Sequence, residues 1–111
     1  MKIIISGKNI TLTDPIKSFV SDKMSSLSKL VKAKDESITE IRVEVGLPSR
    51  HHKTGMVYYA EANLKIGGKL LRATEEHLDL NTAVVQVKDE LLRQLRKDKD
   101  RLLSKRRVKS S

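Results

Sequence analysis

The stretch from Met56 to Thr74 constrains the fold more than any other part of the chain. Met56, Tyr58, Ala60, Ala62, Leu64 and Ile66 recur at every second position, with Glu61, Asn63 and Lys65 among the residues between them. After Gly67-Gly68 the alternation resumes with Leu71 and Ala73. A period of two sends one set of side chains into a core and the other into water. The two glycines suit a type I′ reversal, whose central residues both take positive φ. Paired antiparallel strands are therefore predicted over 56–66 and 69–74. Such a hairpin is not stable alone, so the rest of the chain must add strands and cover the apolar face.

Both are present. Thr39 to Leu47 alternates with Ile41, Val43, Val45 and Leu47 inward and Glu40, Arg42 and Glu44 outward. Lys2 to Ser6 is a β-branched run with Ile3 and Ile5 on one face, followed by a predicted turn at Gly7-Lys8-Asn9. Ile16, Phe19, Val20, Met24, Leu27, Leu30 and Val31 lie at helical spacing and predict an amphipathic helix of about five turns. Asp14 is its expected cap, with Pro15 at the first helical position. Lys34 to Ser37 is a polar linker, and Gly46 to Gly55 (GLPSRHHKTG) is a loop with a basic tip. Thr74-Glu75-Glu76-His77 leads toward a last helix capped by Asp79, with Val84, Val87, Leu91 and Leu95 as its apolar stripe.

The order β-α-β-β-β-α predicts an α+β two-layer sandwich: a four-stranded mixed sheet carrying both helices on one face. The strand–helix–strand opening requires a right-handed crossover between parallel strands. The other face is left to water, with Glu40, Arg42, Glu44, Glu61, Asn63, Lys65 and Arg72 as its outward side chains. Solubility alone accounts for all of these. Leu102 and Leu103 extend the last helical pattern, whereas Ser104 to Ser111 lacks an apolar face. The expected division is thus a domain over 1–103 and a flexible basic tail over 104–111.

Charge narrows the function. The chain has 111 residues, one domain's worth, and a net charge of +9. From Arg96 to Ser111 eight Lys/Arg stand against two Asp, so +6 of the total sits in the last 16 residues. No apolar residue lies between Leu95 and Leu102, so the core stripe lapses where the positive charge thickens. That asymmetry points to nucleic acid or an anionic membrane surface, with a merely solvated tail as the plain alternative. There is no cysteine, which excludes thiolate chemistry and fits a reducing cytosol. Ile3-Ile4-Ile5 is too short for a signal-peptide core, and no apolar run approaches the ~20 residues of a membrane span. A soluble, cytoplasmic protein is expected.

Nothing supports catalysis. Glu40, Glu44 and Glu61 alternate as solvent-facing residues do, without a sign of the burial that would tune a general acid. His51 and His52 are adjacent in a loop rather than at the i, i+4 spacing of a helical metal pair. No phosphate-cradling or dinucleotide-binding glycine pattern occurs. The expectation is a non-enzymatic protein with no metal and no cofactor. Single-strand platforms need aromatics, and only Phe19, Tyr58 and Tyr59 exist, the first two on core-facing stripes. The α-β-β-β-α portion shares its layout with a double-stranded RNA-binding domain, which places lysines at the start of its last helix. Here that place reads Glu75-Glu76-His77-Leu78-Asp79, which repels phosphate. A shape-and-phosphate grip on structured RNA through the far end of the helix remains.

The sequence SGKNITLTDPIKSFVSDKMSSL near the start, the Gly67-Gly68 hairpin followed by Leu-Arg-Ala-Thr, and the ending DELLRQLRKDKDRL resemble the ribosome hibernation-promoting factors. The resemblance runs from about Lys2 to Leu103, and its most specific part is the series Arg93, Gln94, Leu95, Lys97, Lys99 and Arg101. It implies binding to the small ribosomal subunit at the decoding region, across the path of messenger RNA. Translation would be blocked and idle ribosomes preserved under starvation, stress or in stationary phase. Matched to that family are Lys23 on the first helix and Arg93, Lys97, Lys99 and Arg101 on the last. Arg72, Lys88, Arg96, Arg50 and Lys53 are added from charge and position alone.

Two departures stand out: Asn81 and Val85 occupy positions where many members carry a tyrosine and an acid. The additional C-terminal dimerisation domain of long members is absent from these 111 residues, so pairing of ribosomes through this chain is not predicted and a monomer is expected. The alternatives are a general structured-RNA-binding module and a protein-interaction adaptor.

Overall fold

The computed structural model describes residues 2–29, 38–47 and 57–109, with side chains of the last helix described through Lys97. The elements are β1 (Lys2–Lys8), α1 (Asp14–Ser28), β2 (Ile38–Gly46), β3 (Tyr58–Ile66), β4 (Lys69–His77) and α2 (Leu80–Lys109). The alternating stretches form one sheet in the order β1-β2-β3-β4. β1 runs parallel to β2, while β2–β3 and β3–β4 are antiparallel. The mixed sheet and the β-α-β-β-β-α order are those predicted.

The core forms where the inward sheet residues meet the two helical stripes. Ile41, Val43 and Val45 from β2, Ala60, Ala62 and Leu64 from β3 and Ala73 from β4 are buried together with Val20, Met24 and Leu27 of α1. Ala83, Val84, Val87, Leu91 and Leu95 of α2 complete the same cluster. Small alanines on β3 and β4 let α2 lie close to the sheet. Fully burying a side chain such as Leu91 or Leu64 is worth roughly 1.5–3 kcal/mol. Ile16 and Phe19 are half-buried against this cluster, whereas Leu30 and Val31 lie outside the described residues. Both helices therefore cover one face, and the opposite face of the sheet is open.

Several local expectations are corrected. Thr13, not Asp14, caps α1: its backbone is extended, and its Oγ1 accepts from Ile16 N at 3.4 Å. Asp14 is instead the acidic residue of the first turn, where a carboxylate suits the positive end of the helix dipole. Gly7 and Lys8 belong to β1, opposite Val45 and Gly46. The turn comes at Asn9, which takes φ 59° and donates from Nδ2 to Leu47 O at 2.9 Å. Leu47 N in turn donates to Lys8 O at 3.0 Å. This close approach explains Gly46, since a Cβ there would meet Lys8 O at 2.0 Å.

The hairpin between β3 and β4 has positive φ at Gly67 alone (56°), the pattern of a type II′ rather than a type I′ reversal. β4 continues past Thr74 to His77, so Glu75 and Glu76 are strand residues opposite Ala60 and Tyr59. α2 then starts abruptly. Asp79 caps it as expected, accepting at Oδ2 from Thr82 N (3.0 Å) and Thr82 Oγ1 (2.6 Å). The helical backbone of α2 continues to Lys109, past the last apolar pair at Leu102-Leu103.

Candidate nucleic-acid interface

Gln, Lys, Glu, Leu and Arg fill the middle of α2, all good helix formers, and the buried stripe from Val84 to Leu95 decides which way the helix faces. The side turned away from that stripe carries Asp89, Arg93, Arg96 and Lys97, with the half-buried Leu92 between them and the core. Their spacings of three and one put them on one helical surface, where they line an open depression of about 540 Å³. Leu95 is the last residue of the buried stripe among the described side chains, at 8% exposure. The basic cluster thus begins where packing ends.

Its cations are not equivalent. Arg93 is held by Glu90: Nε lies 2.9 Å from both carboxylate oxygens and Nη2 lies 2.6 Å from Oε1. Hydrogen bonding from Arg93 holds the Glu90 carboxyl below its ordinary range, and the same contact raises Arg93 further. Lys88 is half-buried and pairs with Asp89 at 2.7 Å. Arg96 and Lys97 are exposed and form no ion pair among the described residues. Among the described residues, a polyanion has no ion-pair partner of Arg96 or Lys97 to displace.

The other candidates are dispersed. Lys23 lies on α1 with its Nζ 5.4 Å from the centre of the Phe19 ring, a cation–π contact that orients it. Arg72 points to the open face of the sheet, where Nη2 pairs with Glu61 at 3.2 Å and Nε donates to Asn63 Oδ1 at 3.0 Å. It therefore does not join the α2 cluster. Lys99 and Arg101 are part of the α2 backbone, but their side chains lie outside the described residues. Arg50 and Lys53, with His51 and His52 between them, also lie outside the described residues.

The open sheet face is neutralised from within. Arg42 pairs with Glu40 at 2.9 Å, and Lys65 approaches the same carboxylate at 3.6 Å. The hydrogen bond from Arg42 lowers Glu40 below the usual carboxylate range. Tyr59 points outward by alternation yet is only 7% exposed, and its hydroxyl donates to Glu44. Burial, reinforced by that hydrogen bond, pushes the phenol pKa upward, so Tyr59 stays a donor. Its ring is no free platform for a base.

Sequence reasoning missed three residues. Glu90 was legible as an acid three positions before Arg93, the spacing of a helical ion pair. Gln94, inside the basic series, is structural: its Nε2 donates to Arg72 O at 3.0 Å and so covers part of the free edge of β4. Tyr59 gave no signal, because its burial goes with its cross-strand place opposite Gly46 and the hydrogen bond of its hydroxyl to Glu44.

No helix of the described residues is long and apolar enough to cross a membrane. Comparison with known proteins matches residues 3–103 to a family described as sigma 54 modulation protein / S30EA ribosomal protein. A ribosome hibernation promotion factor of Deinococcus radiodurans is 32% identical over 104 residues, covering 92% of this chain and 51% of that protein. The chain thus spans about half the length of that relative. A ribosome hibernation promoting factor of Pseudomonas putida is 30% identical, with 91% of this chain and 89% of that protein covered. Among solved structures, the N-terminal domain of Thermus thermophilus Protein Y superposes with a TM-score of 0.72 at 28% identity, covering 87% of this chain and 98% of that one. A ribosomal subunit interface protein of Coxiella burnetii shares the fold with a TM-score of 0.71 at 20% identity, over 90% of this chain and 99% of that one. The match over nearly the whole chain, the shared fold and the basic end of the last helix agree: this chain belongs to the sigma 54 modulation protein / S30EA ribosomal protein family, which includes the ribosome hibernation promoting factors.

Proposed function

We propose that this protein is a ribosome hibernation factor that binds the small ribosomal subunit at the decoding region, blocks the messenger RNA channel and preserves idle ribosomes under stress. The observation that carries this reading is the exposed Arg96 and Lys97, without an ion pair among the described residues, beside Arg93 on a helix of a family member. These side chains suit phosphate oxygens of ribosomal RNA, with Lys99, Arg101, Lys23 and Lys88 as further contacts. Arg50 and Lys53 are offered as a separate contact from the loop over 46–55, and Arg72 as a peripheral one. The reaction is binding alone; the protein acts by occupying space that messenger RNA needs. It works as a cytoplasmic monomer, with residues 1–103 as the ribosome-binding domain and 104–111 as a basic extension.

Phosphate contacts release counterions, so affinity falls steeply with salt. The test is cosedimentation with purified small subunits at low and high salt. Pelleting at low salt that is lost at high salt is expected, and no pelleting at low salt refutes the reading. The same electrostatics favours a second reading, a general structured-RNA binder. Competition decides: a hibernation factor prefers subunits to an equal mass of unrelated duplex RNA, and a general binder does not.

A further inference from the structure

The acidic residue inside the basic cluster has no place in a simple phosphate grip. Glu90 is only 25% exposed along its side chain and engages Arg93 through contacts of 2.6 and 2.9 Å, more than an incidental surface pair makes. A guanidinium has five N–H groups in a rigid fork, and Glu90 takes the Nε edge, leaving the far edge for a ligand. The same carboxylate also acts on Lys97 through space. A phosphate that approaches Arg93 or Lys97 therefore approaches a fixed negative charge as well.

We propose that Glu90 is a specificity-determining residue of the α2 interface: it presents one edge of Arg93 while weakening the cluster toward polyanions that offer charge without matching shape. The inference rests on the reading of α2 as an RNA-contacting surface and adds the residue that limits it. An RNA whose phosphates fit the free edge of Arg93 and the exposed Arg96 and Lys97 gains directional hydrogen bonds that outweigh the carboxylate's repulsion. Unrelated RNA, held mainly by the summed field, feels the repulsion in full. Discrimination then comes from an unfavourable element inside a favourable surface. A merely structural Glu90 would stabilise the helix as an i, i+3 pair and leave the choice of RNA unaltered.

The test is Glu90→Gln in the full chain, which keeps the side-chain shape and an acceptor oxygen but removes the charge. Binding is measured to purified small subunits and to unrelated duplex RNA at the same series of salt concentrations. Duplex affinity is expected to rise about two- to fivefold, the range an exposed ion pair spans. Subunit affinity rises less or falls, so the preference for subunits drops at least about twofold. Duplex affinity that does not rise, or a preference that stays the same or increases, overturns the proposal, including when the melting temperature alone shifts. Wild-type binding to subunits separately tests the function. If it is absent, that reading fails while the duplex measurement still decides the role of Glu90.

Discussion

The two polar surfaces of the molecule contain similar residues arranged to opposite ends. On the open sheet face Arg42, Lys65 and Arg72 each have a carboxylate within ion-pair distance, and Tyr59 occupies Glu44. On the outer surface of α2, Glu90 serves Arg93 and Asp89 serves Lys88, while Arg96 and Lys97 have no ion-pair partner among the described residues. A count of lysines and arginines does not separate these surfaces; pairing does. Exposed ion pairs add little stability, so their effect on the sheet face is mainly to quiet its field. Among the described residues of α2, the positive charge left without a carboxylate partner lies at Arg96 and Lys97.

The sharpest way to break the comparison is to discharge one surface at a time. Arg93→Ala, Arg96→Ala and Lys97→Ala together are expected to weaken subunit binding on the order of 100-fold at low salt and to reduce the salt slope by about two to three. Arg42→Ala with Lys65→Ala is expected to change the same affinity less than about threefold, because those charges already have partners. Cosedimentation across a salt series checks both, and equal losses from the two variants would dissolve the distinction.

Leu91→Ala addresses the part of α2 that only packs. Leu91 is fully buried, so a loss of roughly 2–5 kcal/mol in unfolding free energy is expected from denaturant titration. The RNA affinity of the molecules that stay folded should barely change.

A smaller effect concerns pH. Hydrogen bonds from Thr82 hold Asp79 below the ordinary carboxylate range, and Arg93 and Arg42 do the same for Glu90 and Glu40. Groups with depressed folded-state pKa values contribute stability that is present above the unfolded-state value and lost as pH falls through the folded one. Melting temperature should therefore decline on acidification from neutral to about pH 3, and Asp79→Asn should flatten part of that decline while keeping a capping oxygen. Gly68→Ala is the mildest change. With no positive φ and nothing within 4 Å of the new Cβ, it should leave the melting temperature level or slightly raised.

Much of this was legible from periodicity. The alternation of Ile41, Val43 and Val45 and of Ala60, Ala62 and Leu64, with the stripe from Val84 to Leu95, yields the sheet, its covered face and the orientation of α2. Local hydrogen bonding was less legible. Both Thr13 and Asp14 can cap, and only the extended backbone at Thr13 decides between them. The extension of β4 over Glu75 and Glu76 was hidden because acidic residues are poor strand formers, yet pairing with Tyr59 and Ala60 overrides that preference. For the candidate site, composition gave the location of the charge but not its pairing. Alternation already assigned Arg72 to the open face of the sheet, but not its pairing there with Glu61 and Asn63. Gln94 looked like part of the basic series and instead secures the edge of β4.

The most direct measurement is an electron cryomicroscopy map of this protein bound to idle small subunits. The outer surface of α2, with Arg93, Arg96 and Lys97 against the ribosomal RNA backbone of the decoding region and the open sheet face, apart from Arg72 at its rim, turned from it, is the predicted result. Density that seats the open sheet face on the RNA, or the protein elsewhere on the subunit, would contradict it.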